Sequence, residues 1–279
     1  MKVALPAHLQ IIRPGNVIIT GFTVFVGGII ASHGIAVQGF GLLLAAISAA
    51  LVAAGANALN DYYDVAIDLI NRPDRAIPSG RISLSFARLV GWLLIVMGIA
   101  TGFVVEFRLG LVAVIVATLL WQYNKVLKRT YFRGNLAVAL CGGAAFIYGG
   151  LAVDKISASV IPALFAFLIH LAREIVKDVD DVVGDRAAGS KTIPIISGER
   201  VALILASTIL IILALSTPLP YFLQIYSLNY LYFVSLTVTF PLLILAIAMI
   251  RGLSQSGVKR TSFFLKLLMI TGLISLYVG

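Results

Sequence analysis

Hydrophobic and polar positions along the chain separate into nine apolar runs joined by polar breaks. The runs lie at approximately 15–32, 39–60, 84–104, 109–124, 135–153, 157–177, 200–216, 228–250 and 262–279. Each approaches the ~20 residues an α-helix needs to cross a bilayer. The breaks alternate in character. Those at 33–38, 105–108, 154–156 and 217–227 are short and almost uncharged, whereas those at 61–83, 125–134, 178–199 and 251–261 are longer and hold most of the charge. The pattern predicts an all-α, polytopic membrane protein of about nine transmembrane helices, forming one domain over residues 1–279.

Composition agrees. The chain is 60% hydrophobic and 12% charged, with a mean hydropathy of +1.04, against about 25% charged residues in a soluble domain. Its net charge of +9 follows topology: of 21 Lys and Arg, only Arg108 and Lys155 fall on the side of the uncharged breaks. The positive-inside rule therefore places the N-terminus and the charged linkers in the cytoplasm and the C-terminus on the opposite side of the cell membrane. No soluble basic domain remains to bind nucleic acid. The single cysteine, Cys141, excludes an intramolecular disulfide framework. Met1 to Arg13 holds no apolar stretch long enough for a signal peptide. Ten of the twelve acids share the basic face, which charge bias alone does not explain. That face is the working one.

The second run ends in N-A-L-N-D-Y-Y-D-V-A-I-D, which carries Asn57, Asn60, Asp61, Asp64 and Asp68. On one continuous helix these five side chains fall within an arc of about 100°. Like charges at such spacings repel, so cations are expected in front of them. A second cluster, R-E-I-V-K-D-V-D-D-V-V-G-D-R, closes the sixth run. Here Glu174, Asp178, Asp181 and Asp185 share an arc of about 60°, Asp180 points away, and Gly184 is expected to threaten the helix before Asp185. The clusters match at one constant offset, Asn57 with Glu174, Asp61 with Asp178, Asp64 with Asp181 and Asp68 with Asp185. Downstream, A-I-P-S-G-R at 76–81 rhymes with T-I-P-I-I-S-G-E-R at 192–200, and R-P-G-N at 13–16 echoes R-G-N at 133–135. We read two four-helix pseudo-repeats, about 10–124 and 130–250, plus a last helix at about 262–279. Such a repeat is expected to bring both carboxylate stripes to one central cavity.

Two carboxylate stripes from separate helices suit a hard divalent cation. Mg²⁺ takes oxygen ligands, usually one or two carboxylates completed by substrate phosphates and water. The candidate metal ligands are Asn60, Asp61, Asp64 and Asp68 from the first cluster, and Glu174, Asp178, Asp181 and Asp185 from the second. Arg72, Arg75 and Arg81 follow the first cluster, and Lys177, Arg186 and Lys191 accompany the second. Acids for a metal beside basic groups for phosphate oxygens describe a metal-bridged diphosphate site. At the cytoplasmic end of a lipid-embedded bundle, it suits a substrate with a diphosphate head and a long hydrocarbon tail.

The spacing N-D-x-x-D-x-x-x-D at Asn60, Asp61, Asp64 and Asp68 resembles the first signature of the UbiA superfamily of intramembrane prenyltransferases. The second, a D-x-x-x-D-like segment, maps onto Asp181 and Asp185, with Asp178 and Glu174 one and two turns before. The nine-helix count, the R-P-x-N entry at Arg13 to Asn16, and Tyr123 with Lys128 fit the same family. The resemblance covers nearly the whole chain, and residues 60–81 look most like the archaeal digeranylgeranylglyceryl phosphate synthases. Related quinone and haem prenyltransferases share much of the pattern. The resemblance implies Mg²⁺-dependent transfer of a geranylgeranyl group from its diphosphate to a lipid acceptor, geranylgeranylglyceryl phosphate, in ether-lipid synthesis. Aromatic quinone precursors or haem are the alternative acceptors. It also implies catalytic roles for Asp64, Asp68, Lys128 and Tyr123, and contacts to the diphosphate or acceptor from Arg13, Asn16, Asn57, Arg72, Arg75, Lys177 and Lys191. Arg13, Lys128 and Arg129 are the candidates for the acceptor's phosphate, and the segment Arg72 to Arg81 is expected to act as a lid.

The implied chemistry is ionisation at the allylic carbon, with metal and arginines meeting the charge that grows on the departing diphosphate. It needs no serine, cysteine or histidine nucleophile. A transporter coupled to Mg²⁺ or protons is the competing class, but a through-path needs polar groups beyond the cytoplasmic half, and the acids stop at one face. Several residues have simpler roles. Trp92 and Trp121 are expected as interface anchors and Tyr123 lies where belt tyrosines occur. Neither His8 nor His33 has a ligand partner at helical spacing, and His170 is expected in a buried polar contact. Glycine pairs at 27–28, 142–143 and 149–150 read as close helix packing.

Overall fold

The computed structural model describes residues 6–32 and 39–279; the linker predicted at 33–38, with His33, lies outside them. Among the described residues, nine helices are long and apolar enough to cross a membrane. In a hydrocarbon solvent every backbone polar group must be satisfied within the chain, and a helix does this segment by segment. Large apolar side chains such as Phe40, Val104, Leu236 and Phe222 are exposed on the outer faces. In lipid that is their favoured surroundings, not a defect.

The helices group into two compact units, one comprising Met1–Lys128 with Ala144–Ser159, the other Arg129–Gly143 with Val160–Gly279. The first unit opens with a short helix α1 (Ala7–Ile12), followed by α2 (Pro14–Ser32), α3 (Gly39–Tyr63), α4 (Val65–Asn71), α5 (Leu84–Val105) and α6 (Phe107–Lys125). A 3₁₀ turn, Leu127–Arg129, follows α6. Helices α7 (Arg133–Ala152) and α8 (Ile156–Asp180) come next, and the division between units passes through both. Close approach of α2 to α7 requires glycine: a Cβ on Gly28 would sit 3.0 Å from the Gly149 carbonyl. The same holds between α3 and α5, where a Cβ on Gly98 would lie 2.8 Å from the Ser48 carbonyl. The packing role expected of the glycine pairs is met at Gly28 and Gly149, and Gly98 adds a close approach that was not expected.

In the second unit, α8 runs into α9 (Val182–Ala187) and α10 (Ile193–Ser197), then α11 (Glu199–Ser216), α12 (Leu219–Phe222), α13 (Leu228–Val234), α14 (Phe240–Arg251) and α15 (Gln255–Val278). A five-residue π segment, Ser235–Thr239, joins α13 to α14 as one long span. The last helix begins well before the predicted residue 262. Ser254 accepts a hydrogen bond from the Gly257 N–H and caps it, so most of the polar 251–261 linker is helical.

Candidate active site

Helix α3 is apolar until its last turns, which carry Asn57, Asn60 and Asp61. There the chain bends. Asp64, with φ −94° and ψ 3°, belongs to neither α3 nor α4 and joins them. The single continuous helix expected over 57–68 is therefore corrected to two helices hinged on an aspartate. The hydrogen-bond ladder survives the bend: the Asp64 N–H donates to the Asn60 carbonyl at 2.9 Å and the Asp68 N–H to the Asp64 carbonyl at 2.8 Å.

The bend gives neighbouring acids different partners. Asp61 pairs with Arg13 and, at 3.3 Å, with Arg75. Asp68 takes the same Arg75 at 2.6 Å. Asp64 accepts from the Asn60 amide at 2.5 Å and pairs with Lys128. These cations come from three distant places: the junction of α1 and α2, the loop after α4, and the 3₁₀ turn after α6. Asp61 and Asp68 are only 5% and 4% exposed. Burying such charges costs several kcal/mol each, on the order of the loss expected if one partner is removed. Burial raises the Asp68 pKa above the usual carboxylate value, with Arg75 opposing it.

Positioning residues surround the cluster. Arg13 sits in the left-handed region at φ 54°, a conformation uncommon outside glycine. The Asn57 side chain donates to the preceding Ile12 carbonyl at 2.9 Å and fixes that peptide. Asn57 thus sets the direction of Arg13. Buried Asn124, which the sequence did not single out, donates to the Ala56 carbonyl at 2.9 Å and ties α6 to α3. Trp121 is more than an interface anchor: its indole N–H donates to the Tyr63 hydroxyl at 3.2 Å, and its ring lies 5.9 Å from that of Trp92. Of the three arginines expected as a lid, Arg75 lies against the acids. Arg81 bonds Ser79 and the Asp74 carbonyl within its own loop, and Arg72 is exposed.

The second cluster repeats the bend. Asp181 has φ −94° and ψ 5° and joins α8 to α9 at the position matching Asp64. Glu174 is buried and held by Arg173 at 2.9 Å and Lys177 at 3.1 Å. Asp178 accepts from the Asn135 amide at 2.7 Å. Asp180 leaves the stripe as expected, with Gln255 donating to its carbonyl at 3.3 Å. Gly184 does not end the helix. It is buried inside α9, and the chain leaves α9 through Gly189 at φ 69°. The His170 ring packs against Gly142, and its Nδ1 has no hydrogen-bond partner among the described residues. Arg173 and Asn135 were missed by sequence reasoning; the R-E pair and the R-G-N echo were their only signals.

Asn16 is exposed, its N–H bonded to the Arg13 carbonyl at 2.9 Å. Tyr123 is half-buried on α6, and Lys191 is exposed, its N–H bonded to the Arg129 carbonyl at 2.8 Å. The Asp185 carbonyl accepts the Ser190 N–H at 2.9 Å.

The donor set of the first cluster is oxygen throughout, which fits Mg²⁺. Among the described residues, no three acids, histidines or cysteines converge to hold an ion alone. Magnesium does not require that, because phosphate oxygens and water complete its shell.

The profile of the UbiA prenyltransferase family matches residues 20–270. A digeranylgeranylglyceryl phosphate synthase of Methanothermobacter thermautotrophicus is 35% identical over 272 residues, covering 98% of this chain and 95% of that protein. Another, from Methanopyrus kandleri, is 41% identical over 215 residues, covering 77% and 78%. A solved structure concerning digeranylgeranylglyceryl phosphate synthase in membranes superposes with a TM-score of 0.80 at 29% identity, covering 99% of this chain and 98% of that one. A UbiA homologue from Archaeoglobus fulgidus, solved with GPP and Mg²⁺, shares the fold at a TM-score of 0.69 and 19% identity, covering 97% and 99%. Matched over nearly all its length, with nine membrane-length helices among its described residues and acids paired to cations at a helix bend, the chain belongs to the UbiA prenyltransferase family.

Proposed function

We propose that this enzyme transfers a geranylgeranyl group from geranylgeranyl diphosphate to the free hydroxyl of geranylgeranylglyceryl phosphate, with Mg²⁺ as cofactor. The observation that carries the reading is the first cluster, in which three aspartates are matched by three cations from three separate elements. The acceptor follows the relatives named above. Asn60, Asp61, Asp64 and Asp68 supply oxygen ligands, and Glu174, Asp178, Asp181 and Asp185 offer a second set. Bound Mg²⁺ supplies positive charge to the diphosphate oxygens as the ester bond breaks.

The protein's own groups do the rest. Arg13, Arg75 and Lys128 turn from carboxylates to phosphate oxygens and meet the charge that grows as C1 and the bridging oxygen separate, the electron pair leaving with the diphosphate. Tyr63, edge-on to Tyr62 at 5.0 Å and bonded to Trp121, offers an aromatic wall to the allylic cation. The acceptor oxygen then bonds to C1 and its proton passes to water. Asn57 and Asn124 hold the backbone from which these groups act.

We place the acidic helix ends and the N-terminus on the cytoplasmic face. In support, charges assigned to the far side pair among themselves: Arg108 with Glu106 and, at 3.2 Å, with Asp154. The test is incubation of the purified chain in nanodiscs with both substrates, with Mg²⁺ or with EDTA, and mass spectrometry of the lipid product. Mg²⁺-dependent ether formation is expected. No Mg²⁺-dependent transfer to this lipid or to a panel of aromatic acceptors overturns the reading.

A further inference from the structure

The loop Ser190–Lys191–Thr192, between α9 and α10, carries a feature that the acidic clusters do not explain. Thr192 is 1% exposed and Ser190 4% exposed, while Lys191 between them is exposed. That alternation, with Thr192 extended at φ −71° and ψ 164°, is what an extended segment gives, so the two hydroxyls lie on one side. The backbone is well satisfied. The Ser190 N–H reaches the Asp185 carbonyl at 2.9 Å, the Lys191 N–H reaches the Arg129 carbonyl at 2.8 Å, and the Thr192 carbonyl accepts from Ile195 and Ile196, each at 3.1 Å. The side chains are not: neither Ser190 Oγ nor Thr192 Oγ1 has a hydrogen-bond partner among the described residues. Buried hydroxyls normally have one, because leaving them bare forfeits their hydration with no return.

The rhyming segment of the first unit shows what the position needs structurally. Arg75-Ala76-Ile77-Pro78 corresponds to Lys191-Thr192-Ile193-Pro194. Ala76 is 2% exposed and packs with Ile77 and Ile82 in an apolar cluster. A methyl group therefore satisfies the packing there. Thr192 adds a hydroxyl at equal burial, and Ser190 stands where the first unit has Asp74. Removing a negative charge, adding two hydroxyls and keeping a cation converts the segment from one that holds its own acids into one suited to an anion. Lys191, on the opposite side of the segment, leaves the loop with a net positive charge without facing the hydroxyls, and the Arg129 carbonyl fixes the loop.

We propose that the Ser190 and Thr192 hydroxyls, flanked by Lys191, form a seat for phosphate oxygens. The prenyl-transfer reading enters only in naming the ligand, as the phosphate monoester of the acceptor or the diphosphate of the donor. Both hydroxyls donate to the bound oxygens, and the loop keeps them out of bulk water.

The experiment compares the full chain with S190A/T192V and T192S in thermal unfolding, alone and with inorganic phosphate or pyrophosphate. The wild-type Tm is expected to rise with at least one anion. S190A/T192V is expected to lose that rise while its anion-free Tm is no lower than wild type, since apolar groups suit an unpartnered buried position. T192S, which keeps the hydroxyl, is expected to retain the rise. Steady-state kinetics then identify the source: KM rises about tenfold per hydroxyl lost for the substrate whose phosphate sits there. A raised acceptor KM means the monoester and a raised donor KM the diphosphate. A double variant that keeps the wild-type anion shift overturns the seat. So does a fall in anion-free Tm with both KM values unchanged, which assigns the hydroxyls to structure. If the wild-type chain makes no product, the prenyl-transfer reading fails, and the anion shift still decides the seat.

Discussion

Asp64 and Asp181 bend their helices with nearly the same backbone angles, yet Asp61 and Asp68 beside the one and Glu174 and Asp178 beside the other meet their partners in different ways. Around Asp64 the charges are met by cations that arrive from far along the chain. In the second cluster Glu174 meets Arg173 and Lys177 of its own helix, and Asp178 is met by a neutral amide. One feature is common to both. The residue that meets Asp61, and the one that meets Asp178, each comes from the start of the preceding long helix, Arg13 at α2 and Asn135 at α7. A shared backbone device can thus carry two charge states. Asp61, Asp64 and Asp68 are met by cations from distant elements, whereas both cations shown at Glu174 come from its own helix.

Four measurements bear on the difference between the two bends. The largest effect belongs to Asp64→Asn and Asp68→Asn, each expected to lower turnover by on the order of 10²- to 10³-fold while the protein still inserts and purifies. Full activity in either removes the first cluster from the reaction. Next, Arg75→Ala should cost on the order of 10²-fold, because one guanidinium serves two acids, against about tenfold for Lys177→Ala. Equal losses would erase the difference between distant and local neutralisation. Smaller again, Asp181→Asn should impair turnover well beyond Asp180→Asn, whose carboxylate lies off the stripe. Similar activity in the two would dissolve the equivalence of the bends.

The smallest effect concerns stability. Burial raises the Asp68 pKa above 3.8, so the folded, metal-free protein binds this proton more tightly than the unfolded chain. Stability is then lost as pH rises through that raised value. Asp68→Asn removes the loss. Melting in EDTA should show the variant no less stable than wild type at pH 7, with the gap closing as pH falls toward 3.8. A wild type that melts higher at pH 7 would mean that attraction to Arg75 outweighs burial.

Most spans were legible because lipid imposes a length and an apolar composition on a helix wherever it lies in the chain. The start of α15 was not, since Gln255 to Arg260 is polar and hydropathy cannot register a cap such as Ser254. The stripe was found, but not its bend. Angle arithmetic assumes a uniform helix, whereas Asp64 meets Lys128, a partner brought up by tertiary structure. Arg173 escaped notice because adjacent helical residues do not ordinarily face one another, yet its long side chain reaches Glu174. The pairing of the two acidic clusters, by contrast, is legible in their constant offset.

The ion pairs of the first cluster bear on the order in which ligands enter. Diphosphate arriving without metal would draw Arg13 and Arg75 away and leave buried Asp61 and Asp68 bare. Metal arriving without diphosphate would occupy the carboxylates and strand the cations. Only a double exchange, acid to metal and guanidinium to phosphate, leaves no charge unmatched. By linkage, each ligand would then strengthen the binding of the other. On the proposed reading, the resting site is a set of ion pairs poised to exchange partners.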